Sequence, residues 1–296
     1  SDSSITFTFN IITPFNEIKG DPIELQFPKH YTIGHRGSGN NLVVNDFQEN
    51  TFPSFFNAHK VGCDFVEFDI QLSKDHIAVI HHDFEITKKD KNPEIGEPVR
   101  EEPQGEYHYA INQYTVDQFK KAKLDLQWHV ENPTFSELLR ELPMDLKFDI
   151  EIKYPFQNFN KHIPYSERNE FLDTILHEIA QEAGERKFFF SSFDINIIVM
   201  LVLKQQRYPV YMLTTQEMYN EDTFQDFIRK TLGWAPLLKK IGVKGYVLNS
   251  LYMLEQPSLV QKLLDQGFTV STYGKPNNEK EGIIEQLNLG VSGICT

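Results

Sequence analysis

Cysteine is scarce in this chain of 296 residues: Cys63 and Cys295 are the only two. A large secreted fold can dispense with disulfides, so the scarcity points only mildly to a reducing compartment. Glycine (16) and proline (15) are too few for a collagenous or low-complexity chain, and 40% hydrophobic residues leave ample material for a core. Positive charge is in deficit, with 29 Lys and Arg against 42 Asp and Glu, for a formal net charge of −13. The lack of a compensating basic stripe argues against a duplex-binding or polybasic membrane role, and no nucleic-acid partner is expected. Long apolar runs are missing too. Ile197–Leu203 falls far short of the roughly 20 residues that a membrane span needs. The N-terminal SDSSITFTFN lacks the basic and apolar blocks of a signal peptide. The expectation is a soluble, acidic, cytoplasmic chain with no transmembrane segment.

What the chain does have is alternation. From Tyr31 onward, strand-like runs (31–37, 64–70, 146–153, 187–192, 208–214, 245–249, 269–274 and 291–296) alternate with helical patterns. The helical stretches are 51–60, 134–142, 167–183, 195–206, 223–241, 257–266 and 279–287, several stopped by a glycine such as Gly62, Gly184 or Gly267. Strand alternating with helix predicts a parallel sheet, and eight strands match a closed (β/α)8 TIM barrel. Residues 1–30 read as an N-terminal arm with a strand at Ile5–Thr13, or the remnant of a preceding domain, and residues 31–296 as the barrel. One run, Ile77–His81, follows the second strand too closely for a parallel crossover. A hairpin turning on Lys74-Asp75 would pair Glu67 with His82 and Asp69 with Ile80; the alternative, a bent loop, keeps the same residues at the same rim. Residues 84–131 are long, charged and irregular, an insertion at the barrel rim.

Barrel chemistry sits at the C-terminal ends of the strands. Strand one ends in His35-Arg36-Gly37, strand two carries Glu67 and Asp69 on one face, and the hairpin return ends in His81-His82-Asp83. Strand three carries Asp149, Glu151 and Lys153 on one face, while Val66, Phe68, Ile70, Phe148, Ile150 and Ile152 face the other way. Charge inside a barrel needs a reason. Glu67, Asp69 and Glu151 can converge on one divalent cation, Mg²⁺ or Ca²⁺, since all-oxygen ligation suits a hard ion. The alternative is a metal-free network neutralised by Arg36 and Lys153. His35 and His82 are the acid–base candidates, His81 pointing away by alternation, and Arg36 and Lys153 would hold a phosphate oxyanion. Together these groups spell phosphodiester hydrolysis.

The ordered set Gly34-His35-Arg36-Gly37, Glu49-Asn50-Thr51, Phe65-Val66-Glu67-Phe68-Asp69-Ile70, His82-Asp83 and Glu151-Ile152-Lys153 resembles the glycerophosphodiester phosphodiesterase family. The resemblance runs from about Ile33 to the C-terminus and implies a metal-dependent TIM barrel that cleaves glycerophosphodiesters to glycerol 3-phosphate and an alcohol. It implies Glu67, Asp69 and Glu151 as metal ligands, His35 as proton acceptor and His82 as proton donor. Arg36 and Lys153 would be phosphate contacts, with Glu49 as the polar partner of Arg36. Within the family the chain looks most like the eukaryotic intracellular glycerophosphocholine phosphodiesterases, which carry a further N-terminal regulatory domain. It departs at Thr272-Tyr273-Gly274, where many members have a Trp, and it stops at Thr296 where the family usually continues with an Asp. Tyr273 and Phe193 are candidates for an aromatic surface around choline, with Trp234 less securely placed. Other readings of the same residues are a lysophospholipase D, a sphingomyelinase-D-like enzyme, or a non-catalytic phosphodiester-sensing module.

Overall fold

The computed structural model describes residues 11–23, 25, 27–39, 46–122, 130–155, 162–215 and 224–296, with backbone alone for 224–226. In chain order the strands are β1 (Tyr31–Gly34), β2 (Phe65–Leu72), β3 (Ala78–Ile80), β4 (Glu85–Lys88), β5 (Arg100–Glu101), β6 (Tyr107–Ala110), β7 (Lys147–Ile152), β8 (Phe188–Ser192), β9 (Val210–Thr214), β10 (Gly245–Asn249), β11 (Thr269–Tyr273) and β12 (Gly293–Cys295). The helices are α1 (Phe52–Val61), α2 (Val116–Lys121), α3 (Phe135–Glu141), α4 (Arg168–Glu182), α5 (Ile195–Lys204), α6 (Phe224–Ile241), α7 (Ser250–Glu255), α8 (Ser258–Asp265) and α9 (Lys280–Asn288). Strands β1, β2 and β7 to β12 pair in parallel, and β12 returns to β1 through Tyr31–Gly293 and Ile33–Cys295, closing the (β/α)8 barrel expected.

Alternation along each strand divides the core in two. Val66, Phe68 and Ile70 of β2 and Phe148, Ile150 and Ile152 of β7 point outward into the layer shared with the helices. A smaller cluster fills the barrel interior: Tyr31, Ile33, Phe65, Phe189, Tyr211, Leu213, Val247 and Cys295. Phe27, from the segment before β1, stacks on Tyr31 (ring centroids 4.7 Å apart) and Phe65 (5.6 Å), at the N-terminal ends of β1 and β2. The floor of the barrel is thereby closed by an aromatic ring, and the mouth is left to the polar strand ends. The strand expected at Ile5–Thr13 lies mostly outside the described residues; 11–13 carry no strand, and Thr13 hydrogen-bonds Asn169 of α4 (3.0 Å).

Two expectations need correction. β3 does pair antiparallel with β2, but one residue out of the expected register, with Ile70 opposite Ile80 and Asp69 bonded through its carbonyl to His81 N (2.9 Å). The turn holds three residues, not two. His76 takes a left-handed φ of 60°, and Ser73 closes the loop by donating to Ile77 O (2.9 Å). The rim insertion is also more ordered than its charge suggested. β4, β6 and β5 form a small antiparallel sheet with α2 beside it, over a core of their own that includes Ile86, Ile95, Tyr109 and Phe119. The helix α7, directly after β10, was not anticipated either.

One buried cation holds the seam between α3 and β7. Arg186 is 1% exposed and donates to Leu139 O, Leu142 O, Pro143 O and Leu146 O at 2.7–3.1 Å, among them carbonyls left open by the helix end. Its guanidinium also lies 4.4 Å from the Phe148 ring centroid. Arg186→Met leaves those carbonyls without their donor and should cost about 1–3 kcal/mol, lowering Tm by roughly 2–12 °C; a thermal scan with Tm unchanged would refute the role. Cys63 precedes β2 rather than lying on it, Cys295 ends β12, β1 runs between those strands, and both thiols are free. Adding reductant should leave Tm where it is, and a drop would reveal a bridge that this strand order does not allow.

Candidate active site

The mouth is built from the turn after β1. Gly34 and Gly37 pinch that turn shut, with Gly37 N donating to Gly34 O (3.1 Å); a Cβ on Gly34 would sit 2.1 Å from Gly37 O. Between them Arg36 is held at a left-handed φ of 50°. Its backbone N–H donates to Glu67 Oε2 (2.8 Å), and its Nη1 donates to both Glu49 oxygens (3.0 and 3.1 Å). His35 lies one residue earlier, its Nε2 3.9 Å from Glu67 Oε2. Desolvation and then the Arg36 guanidinium pull the imidazole well below its ordinary pKa, so the ring is neutral at pH 7.

Strand register brings the acids together. In the β2–β7 ladder Glu67 lies opposite Asp149 and Asp69 opposite Glu151, so all four carboxyls point into the barrel from neighbouring strands. Carboxylate oxygens of Glu67, Asp69 and Glu151 lie within 4.8 Å of one another, and all three side chains are buried. Burial, then repulsion by Asp69, raises the pKa of Glu67, while burial raises Glu151 against the pull of Lys153. Burial would raise Asp69 as well. His82, Lys153, Arg36 and the Asn50 amide outweigh it and hold that carboxyl below its usual range. Lys153 Nζ sits 3.2 Å from Glu151 Oε1 and 3.7 Å from Asp69 Oδ1, and 5.3 Å from the Phe84 ring centroid.

These residues fit a divalent cation. The donor set is all carboxylate, as a hard ion prefers, and Asp69 Oδ1 is buried without a hydrogen-bond partner, its nearest cation being Lys153 Nζ at 3.7 Å, beyond hydrogen-bond reach. His82 stands at the edge of this group with its Nδ1 2.7 Å from Asp83 Oδ1, while His81 turns away and packs edge-on against Phe119 (5.8 Å). On the other side of the mouth, Tyr273 donates to Thr214 O (3.2 Å) and meets Phe193 edge-to-face at 6.0 Å. Trp234 sits midway along the outer helix α6, 41% exposed, and belongs to the surface.

Three residues at the site received no role from the sequence pattern. Gln71, fully buried, donates from Nε2 to His81 O (2.9 Å) and Asp83 O (2.7 Å), pinning the main chain on both sides of His82. Asn50 donates to Asp69 Oδ2 (2.9 Å). Asp149 accepts from Ser191 Oγ (2.6 Å) beneath the acid group and is pushed up to about 8 by burial. Alternation marked Asp149 as inward-facing; nothing in the spacing distinguished Gln71 or Asn50.

Residues 35–296 match the glycerophosphoryl diester phosphodiesterase family. Over 296 residues the chain is 31% identical to the glycerophosphocholine phosphodiesterase of Homo sapiens, covering 88% of this chain and 43% of that protein. It is 29% identical to the glycerophosphocholine phosphodiesterase of Candida albicans, covering 98% of this chain and 30% of that protein. The chain thus spans less than half the length of these relatives. Among solved structures, a phosphodiesterase from Oleispira antarctica in complex with the product sn-glycerol-3-phosphate superimposes with a TM-score of 0.65 at 17% identity, covering 91% of this chain and 92% of that one. No helix among the described residues is long and apolar enough to cross a membrane. By its motifs, its barrel and the match over residues 35–296, the chain belongs to the glycerophosphoryl diester phosphodiesterase family.

Proposed function

We propose that the chain hydrolyses glycerophosphodiesters, glycerophosphocholine foremost, to glycerol 3-phosphate and the free alcohol. The observation that carries this reading is the all-carboxylate group on β2 and β7 with a histidine from each of two neighbouring segments, His35 in the turn after β1 and His82 just after β3. The names and 29–31% identities of the relatives support choline as the alcohol, as do the half-buried rings of Phe193 and Tyr273 at the barrel mouth, the kind of surface that takes a quaternary ammonium.

In this reading Glu67, Asp69 and Glu151 hold one Mg²⁺ or Ca²⁺, which when bound supplies Lewis-acid charge toward the phosphoryl oxygens. Arg36, fixed by Glu49, and Lys153 bind the non-bridging oxygens and stabilise the charge they gain. His35, kept neutral, accepts the proton of the attacking hydroxyl as its oxygen bonds to phosphorus; attack by water gives glycerol 3-phosphate directly, whereas attack by the glycerol 2-hydroxyl gives a cyclic phosphate that a water molecule must then open. The bond from phosphorus to the alcohol oxygen breaks, and His82, oriented by Asp83, delivers a proton to that oxygen.

Metal binding is checked without turnover. Mg²⁺ or Ca²⁺ at 100 times its Kd should stabilise the fold by about 2.7 kcal/mol. In a thermal scan Tm should rise with the ion and fall back with EDTA. Glu151→Gln should keep the fold, lose that shift and lose most activity; a full shift in Glu151→Gln, or full activity in a metal-free preparation, would refute the ligand set.

The histidines are separated by leaving group. With glycerophosphocholine, whose alkoxide leaves badly, His82→Ala should lose roughly 10²–10⁴-fold in kcat, whereas a nitrophenyl diester, whose leaving group needs little protonation, should be far less affected. His35→Ala should suffer on both substrates alike. Equal losses for His82→Ala would remove the acid assignment, and rescue of His35→Ala by the aryl substrate would exchange the two roles.

A further inference from the structure

Asn50 is a non-glycine residue held at a left-handed φ of 56°, beside a second one, Arg36 at 50°. The two are interlocked: Asn50 N donates to Arg36 O (3.0 Å), and that same carbonyl accepts from Ser54 Oγ (2.9 Å). Asparagine tolerates this backbone better than most residues, yet glycine takes it with less strain. What glycine lacks is the amide, and the amide has a specific use here. Asn50 is 3% exposed and its Nδ2 donates to Asp69 Oδ2 at 2.9 Å. That oxygen also faces Arg36 Nε at 3.9 Å, whereas Asp69 Oδ1 has no hydrogen-bond partner. One oxygen of the carboxylate is thus hydrogen-bonded by the protein, and the other is left without a hydrogen bond, 3.7 Å from the Lys153 ammonium.

We propose that Asn50 is a positioning residue for the reaction: by occupying Asp69 Oδ2 it fixes the carboxylate plane and presents Oδ1 alone to the cation shared with Glu67 and Glu151. The inference rests on the reading that these three acids hold the cation. A carboxylate with neither oxygen held rotates, and each rotation away from the ligand pose competes with binding. Partners of this kind typically change metal affinity by roughly 10–100-fold. The same asparagine carries the Arg36 carbonyl on its backbone N–H, so the turn that sets Arg36 and the acid that binds the ion are oriented by one residue. Its own Oδ1 is buried without a partner, which is unfavourable for folding alone.

The test uses two substitutions in the full chain, Asn50→Gly, which suits the left-handed backbone, and Asn50→Ala, which does not. Affinity for Mg²⁺ and Ca²⁺ is measured by titration calorimetry, with circular dichroism and Tm of the metal-free proteins alongside. Both variants should bind either ion roughly 10–100-fold more weakly than the wild type, with Asn50→Gly keeping the metal-free Tm. At limiting Mg²⁺ its kcat should fall, and raising Mg²⁺ should restore most of it. If the wild type binds neither ion, the cation reading fails and takes this inference with it. If the wild type binds and Asn50→Gly binds equally well, the cation reading stands and the role given to Asn50 is wrong. A loss confined to Asn50→Ala would trace the effect to backbone strain and overturn the positioning role as well.

Discussion

Three carboxylates buried within 4.8 Å of one another, in the mouth of a barrel whose interior is otherwise aromatic and aliphatic, are the constraint around which the rest is arranged. Concentrated negative charge in such a place is costly, and the fold meets it with specific positively charged groups. Lys153 lies on the same strand face as Glu151, and Arg36 reaches the group from the β1 turn. Arg36 is itself shared with Glu49, so the acids retain an excess of negative charge. A divalent cation is the complement that this excess asks for.

The segments outside the eight strands serve the rim. The hairpin from β2 to β3 returns the chain to the mouth, and Gln71 then fixes the backbone on either side of His82. Gln71 Oε1 in turn accepts from Tyr165 OH (2.8 Å), in the loop after β7, and the same loop reaches the insertion through a His162–Glu85 contact. Phe84, at the start of the insertion, lies against both Lys153 and Tyr165. The start of the insertion and the described part of the β7–α4 loop therefore contact each other next in sequence to the segment that carries the histidine proposed as acid.

Much of this was legible from residue order. Period-two alternation of Glu67, Asp69, Asp149, Glu151 and Lys153 against Val66, Phe68, Ile150 and Ile152 is a local property, and it survives into the barrel unchanged. Strand and helix positions follow the same local patterning, and their observed ends differ from the expected ones by at most a few residues. The hairpin register was misread because it depends on one backbone angle, that of His76; a left-handed residue adds a third position to the turn and slides the return strand by one. The order within 84–122 was masked by its charge, since the apolar residues that form its small core are spread over three short strands and α2.

By itself the sequence determined the barrel, the inward face of each strand and the chemical types gathered at its mouth. All of these follow from periodicity and from which residues end a strand. Only the tertiary structure decided which oxygen of Asp69 is hydrogen-bonded, that the Arg36 backbone serves Glu67, and that Gln71 and Asn50 orient groups belonging to other segments. Those contacts join residues up to 31 positions apart through side-chain amides and strained turns, and hydrogen-bond direction across such gaps exists only once the β2–β7 register and the β1 turn have been set.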